Sequence, residues 1–359
     1  MVLKTNITEM FGIKHPIASA AMGPFRTTDL AVAVANAGGL GMISHTNVSI
    51  DGYEKDYFVA MKKNLDYVVE RTEGIFGFNV RTSRNEVICD ELISETSKYI
   101  MANPKLKEQC LYALSSAGSA ARIPRNEDFQ KLRKDSNIKH FHVAPALWLA
   151  DKCVAAGCDG LVVTGFEGGG HQSYEKVGGL VLLQQVQQKH PDIPKIACGG
   201  FATGDGMAAA LAIGAGGIAM GSRFIASKDS EFHENYKGVV PLSKASDTLV
   251  RTGSLGTIRL WKNKYSLEKG LVKSKEEKIA EEKALGVHRT AISEEELREE
   301  LRRDAKAAFA AYNGDMENGG VLLGQSIGII NKLESVSDII ETVIKGAEKA
   351  LKKAATFVQ

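Results

Sequence analysis

Leu161-Val162-Val163-Thr164-Gly165-Phe166-Glu167-Gly168-Gly169-Gly170-His171 starts as a short apolar, β-branched run and ends in three glycines and a histidine. Leu161 to Thr164 reads as a buried strand. Successive glycines cost backbone entropy, so they suit a place where backbone must pass very close to something. A histidine at the end of that approach is placed to titrate near neutral pH. The run is therefore either a surface for a flat ligand addressed by His171, or a flexible strand-to-helix loop carrying an incidental histidine.

The flanks on both sides repeat one pattern. Upstream, Lys139–Ala144 reads as a strand and Leu147–Ala156 as its helix, stopped by Gly157. Downstream come helix Leu180–His190, strand Lys195–Cys198, helix Gly204–Ile213 and strand Gly217–Met220. The alternation reaches back through strands Pro16–Ala20, Gly41–Ser44, Ile75–Val80 and Leu111–Ser115. Their helices are Leu30–Ala37 (capped by Thr28-Asp29), a helix-rich stretch to about residue 70, Asn85–Met101 and Glu127–Lys134. Connections of this length exclude hairpins and predict right-handed parallel crossovers. The expected fold is α/β, a (β/α)8 TIM barrel. A dinucleotide-binding sheet would need G-x-G-x-x-G after the first strand, and here that strand ends in Met22-Gly23-Pro24.

The pattern changes after the eighth strand. Residues 266–303 are dense in Lys and Glu, and Ser293-Glu294-Glu295-Glu296 resembles a capping box. The expected organisation is a (β/α)8 barrel from residues 1–255, completed by 310–359, with a charged helical insertion over 256–309. Charge runs of this kind usually form solvated surface helices, against a lid or an oligomer contact. Val336–Lys353 reads as one amphipathic helix covering the barrel.

Composition bounds the partners. In 359 residues, 44% are hydrophobic and 25% charged, and 45 Lys plus Arg nearly balance 43 Asp plus Glu. No global field favours nucleic acid or an anionic membrane. No apolar run approaches the ~20 residues of a membrane span, and no basic-then-apolar leader opens the chain. Cys89, Cys110, Cys153, Cys158 and Cys198 form no C-x-x-C pair, which fits reduced structural thiols in a cytoplasmic protein. No His or carboxylate cluster has metal-ligand spacing, so no metal is expected. The expected partners are a small-molecule substrate and a second copy in a homodimer.

In a parallel barrel, function gathers at the carboxyl ends of the strands. Those ends here carry Met22-Gly23, Ser44-His45, Asn79, Ser115-Ser116, Thr164 to His171, Gly199-Gly200 and Gly221-Ser222. Paired small residues after strands seven and eight leave backbone N–H groups to cradle a phosphate. A phosphate there, with a flat ring reaching over Gly168, Gly169 and Gly170 towards Met22 and Asn79, describes an FMN pocket. The flavin would carry the redox chemistry, and His171 would be the general acid or base. His140 and His142 share one face of strand five, so both could point inward, though they lie before the strand's carboxyl end.

These residues resemble the nitronate monooxygenase family, once called 2-nitropropane dioxygenases, which is similar to the FMN-dependent enoyl-ACP reductases. The likeness runs through Pro16-Ile17 to Met22, Asn36 to Gly41, Gly77-Phe78-Asn79, Gly165 to His171, Ala197 to Gly200, Met220 to Phe224 and Gly324-Gln325-Ser326. It implies His171 as catalytic base or proton donor, and Gly199, Gly200, Gly221 and Ser222 around the FMN phosphate. The candidate cofactor contacts are thus Ala21, Met22, Gly23, Asn79, Glu167, Gly168, Gly169, Gly170, Gly199, Gly200, Gly221, Ser222 and Gln325. Two departures lie beside the histidine: the family usually has Ala in place of Gly169, and Gly in place of Ser173.

The resemblance implies oxidation of an alkyl nitronate through flavin to O2. The same fold also serves reduction of an enoyl thioester or a quinone with NADH or NADPH as electron donor. A barrel that binds a phosphate ligand without redox chemistry is the alternative of another class. An isomerase of that kind would want a carboxylate or lysine at the strand ends, where Glu167 is nearly alone.

Overall fold

The computed structural model describes residues 3–83, 88–253, 256–268 and 294–358. Eight parallel strands form one sheet: β1 Ile17–Ser19, β2 Gly41–Ile43, β3 Phe76–Arg81, β4 Cys110–Ser116, β5 Lys139–Ala144, β6 Gly160–Thr164, β7 Lys195–Cys198 and β8 Gly217–Met220. Their order is β1-β8-β7-β6-β5-β4-β3-β2. The ring closes where Ala18 bridges Leu40, with the Ser19 N–H on the Leu40 carbonyl and the Leu40 N–H on that of Ile17. This is the (β/α)8 barrel that the alternation predicts.

The two faces of the strands bury different things. Tyr112, Leu114, Phe141, Val162, Ile196 and Ala219 fill the barrel interior. The short helix Asn6–Phe11 plugs the amino end, its Phe11 ring edge-on to Tyr112 at 5.3 Å. The outer faces, among them Leu161, Val163, Ala197 and Ile218, pack on the helices.

Strand β5 corrects one expectation. His140 and His142 do share a face, but it is the outer one, because Phe141 occupies the interior. Both imidazoles are buried in the helix layer and share the Ser115 hydroxyl, at 2.7 and 2.6 Å. The His140 ring meets Phe129 of the following helix edge-on at 6.2 Å. A barrel strand is apolar on both faces, so its period of two shows which residues share a face and not which face is inside.

Register levels the carboxyl ends that build the site. Cys198 stands beside Thr164 on one side and Ala219 on the other, and Ser19 stands beside Met220. The loops after β6, β7, β8 and β1 therefore emerge as neighbours.

Three features lie outside the ring. Val336–Ala355 is the amphipathic helix expected, capped by Ser335 and burying Val336, Ile339, Ile340, Val343, Ile344 and Ala347. It crosses helix Gly204–Ile213 so closely that a Cβ on Gly204 would lie 2.4 Å from the backbone of Gly346 and Ala347. Residues Val48–Ser49 and Gly52–Tyr53 form a small hairpin inside the stretch expected to be helix-rich.

The region expected as a helical insertion from residue 256 begins instead with a strand. Gly256–Trp261 pairs antiparallel with Thr248–Gly253 and, on its other edge, with Gly170–Gln172. Its alternating Thr, Ile, Arg, Leu and Trp are strand formers, a signal masked by the charge run that follows. Glu294–Tyr312 is helical, while residues 269–293, including Ser293 of the expected capping box, fall outside the described residues. Tyr312 stacks on Phe25 at 5.2 Å and joins Phe232 and Tyr236 in an aromatic cluster at the carboxyl end of the barrel. Among the described residues, no helix is long and apolar enough to cross a membrane.

Candidate active site

The site grows out of the loop after β6. Gly165 donates its N–H to Cys198 at the end of β7, which draws the two loops together at their roots. Gly165 is required there: a Cβ would lie 2.3 Å from the Gly179 Cα. Gly199 and Gly200 follow with φ of +78° and +91°, a region that favours glycine. A Cβ on Gly199 would fall 2.7 Å from the Gly165 carbonyl and 3.1 Å from the Gly168 nitrogen. Loops six and seven are in van der Waals contact through backbone alone.

Loop eight and the tail complete the ring of small residues. The Ser222 hydroxyl accepts from the Gly324 N–H at 2.9 Å, and the Gln325 N–H donates to the Glu167 carbonyl at 2.8 Å. Gly169 and Gly324 pass each other with no room for side chains. Gly221 faces Ala20 and Met22, whose atoms would lie 3.7 and 3.9 Å from an added Cβ. Met22 is held in turn by its N–H on the Ser44 hydroxyl at 2.8 Å. A Cβ on Gly23 would meet the His45 carbonyl at 2.4 Å. Met22, Gly168, Gly169, Gly199, Gly200, Gly221, Ser222 and Gln325 are thus brought together, with Ala21 half-buried beside Met22.

Two expected ligand contacts have partners within the protein. Asn79 is buried, donating to the Leu114 carbonyl at 2.9 Å and the Ser116 hydroxyl at 3.2 Å, while its oxygen receives the His45 N–H at 3.4 Å. Both of its N–H donors point into the barrel wall. The Glu167 carboxylate receives the Gly179 N–H on both oxygens, at 3.0 and 2.8 Å, and so caps the next helix. Its job in the fold is to hold the loop's shape.

His171 lies on the strand Gly170–Gln172, opposite Ile258, with its ring open to the cleft. The protein mass around the cleft and the Arg81 guanidinium push the imidazole down to about 4, with the Asp304 carboxylate acting the other way. Access to water tempers the desolvation, and the direction leaves His171 neutral at pH 7. Gly170, at φ +77° with open space around it, lets the chain turn into that strand.

The sequence reading missed the groups that surround this histidine. Arg81 ends β3, Asp304 comes from helix Glu294–Tyr312, and Arg259 from the hairpin holds the Phe166 carbonyl. The β-branched run at 256–261 was readable, but its docking 93 residues away on loop six was not. Among the described residues, no group of three His, Cys, Asp or Glu side chains is placed to hold a metal ion.

A closed β/α barrel with small-residue loops on β6, β7 and β8 and a histidine ending loop six is a flavin-binding oxidoreductase barrel. The nitronate monooxygenase family matches residues 4–346, and the chain belongs to that family. It is an enzyme, an FMN-dependent oxidoreductase of that type. A Rhodococcus jostii protein named (3aS,4S,5R,7aS)-5-hydroxy-7a-methyl-1-oxo-octahydro-1H-indene-4-carboxyl-CoA dehydrogenase is 32% identical over 250 residues, 69% of this chain and 62% of that relative. A probable nitronate monooxygenase of Staphylococcus aureus is 29% identical over 71% of this chain and 77% of its own. Among solved structures, FabK from Thermotoga maritima superposes with a TM-score of 0.77 at 28% identity, covering 99% of both chains.

Proposed function

We propose that the enzyme oxidises an alkyl nitronate, which His171 can form in the site by removing the α-proton of the neutral nitroalkane. One observation carries this reading: His171 ends the glycine loop exposed in the cleft, and its surroundings and Arg81 push the imidazole down, towards the neutral state a base requires. Arg81 beside it provides positive charge where a nitronate carries negative charge.

The residues present fit the phosphate end of FMN. Gly199 and Gly200 turn their backbone through positive φ, and helix Gly204–Ile213 starts four residues after Gly200. Gly221 leaves a hollow between Ala20 and Met22 that a Cβ would fill. Ser222 accepts from Gly324, so its own O–H remains to donate to an anion. Gly199, Gly200, Gly221 and Ser222 would hold the phosphate, and Gly168, Gly169 and Gly170 would let the ring approach. When bound, FMN supplies the two-electron oxidation and passes the electrons to O2. Asn79 and Glu167 shape the wall of this pocket from behind.

A second reading has its own support in the FabK likeness and the acyl-CoA relative. There NADH or NADPH would be the donor and an enoyl thioester the acceptor, with His171 delivering a proton. A neutral imidazole favours the first reading, because proton delivery needs the charged form. Anaerobic mixing separates the two. A nitronate is expected to bleach the flavin, and bleaching by NADH or NADPH alone would replace the first reading with the second.

A further inference from the structure

Three consecutive glycines leave the stretch Gly168–Gly170, just before His171, without side chains of its own to fix its path. The hairpin supplies what the loop lacks. Arg259 is 4% exposed, and its Nε and Nη2 both donate to the Phe166 carbonyl, at 3.1 and 2.9 Å. Its Nη1 donates to the Thr248 hydroxyl at 2.9 Å, and the guanidinium lies 4.9 Å from the centre of the Phe166 ring. On the backbone, Arg259 pairs with Gly170 and Ile258 with His171.

One residue thus grips the loop at both ends, by side chain at Phe166 and by ladder at Gly170. A buried guanidinium is costly unless its donors are used, and here two of them converge on one carbonyl. Lysine cannot reproduce that fork. Glu167, whose charge acts on Arg259, has its carboxylate on the Gly179 N–H, so the two interact through the field rather than as a direct ion pair.

We propose that Arg259 is a positioning residue that holds loop six in the shape presenting His171 to the substrate. This rests on the reading of His171 as the group that moves the proton.

The test uses Arg259→Lys and Arg259→Ala in the full chain. Amide hydrogen exchange of residues 165–172, measured on FMN-free protein, is expected to quicken about tenfold in both variants while the barrel strands stay unchanged. With FMN and a nitroalkane, kcat should fall about 100-fold, as for a misplaced catalytic group, with KM within about threefold. Ethylguanidinium should restore part of the kcat of Arg259→Ala. Unchanged exchange over 165–172 would overturn the proposal. So would a kcat within about twofold of wild type, or faster exchange throughout the barrel with no rescue. If His171→Ala turns over normally, the proton-handling reading fails, while the exchange data still report on the clamp.

Discussion

Gly169→Ala tests how closely the tail and loop six are fitted. A Cβ at residue 169 would stand 2.7 Å from the Gly324 nitrogen and the Leu323 carbonyl carbon, and 3.1 Å from the Leu323 Cα. All are backbone atoms, so no flexible side chain can yield. Ordinary contact begins at 3.4 Å, and the tail must retreat by about 0.7 Å. The Gln325-to-Glu167 and Gly324-to-Ser222 hydrogen bonds, at 2.8 and 2.9 Å, would open past bonding distance. Two lost bonds at about 1 kcal/mol each, with overpacking of about 1 kcal/mol, give a local cost of about 3 kcal/mol. If half of it falls on the FMN-bound state, the Kd for FMN rises about tenfold. Fluorescence titration of FMN-free protein with FMN measures this. Gly238→Ala, with nothing within 4 Å of its Cβ, serves as the control. FMN affinity within about twofold of wild type in Gly169→Ala would refute the packing argument.

Other outcomes follow from the same geometry. For a neutral nitroalkane, kcat/KM should rise as pH climbs through about 4, where His171 loses its proton, and be flat by pH 7. His142 is pushed down to about 4 and His140 well below 6.5, both by burial, so the unfolded chain binds protons that the fold refuses. Their stabilisation is complete above pH 6.5 and is lost as pH falls towards the folded values. His142 alone accounts for about 2 kcal/mol of the stability difference between pH 7 and pH 5, read by urea unfolding at the two values. Gly204→Ala should destabilise the fold by about 1–3 kcal/mol, because its Cβ would strike the backbone of the last helix; thermal unfolding reports it.

The barrel was legible because its signal is local. Lys139–Ala144, Lys195–Cys198 and Gly217–Met220 each occupy the residues that apolar runs and glycine stops mark out. The glycine loops were legible too, since only close backbone approach rewards Gly165, Gly199 and Gly200. What escaped is what depends on distant chain. Asn79 is expected at the ligand's edge, and the partners its side-chain donors have in the wall of β4 were not readable from its own neighbours. Glu167 is expected at the ligand too, and the cap its carboxylate makes on a helix N-terminus twelve residues on was equally unreadable. Gly169, where the family usually has alanine, makes sense only once Gly324 is seen against it. Arg259 and Asp304 come from a region whose charge density hid both a strand and a carboxylate whose field reaches His171.

The direct test of the account is His171→Ala, assayed anaerobically with a neutral nitroalkane. The variant should hold one FMN per chain, and its rate of flavin bleaching should fall at least about 100-fold. The loss should be smaller with the preformed nitronate, whose α-proton is already gone. Bleaching of His171→Ala by the nitroalkane at the wild-type rate, or loss of FMN with unaltered turnover per bound flavin, would contradict the assignment of His171 as the base.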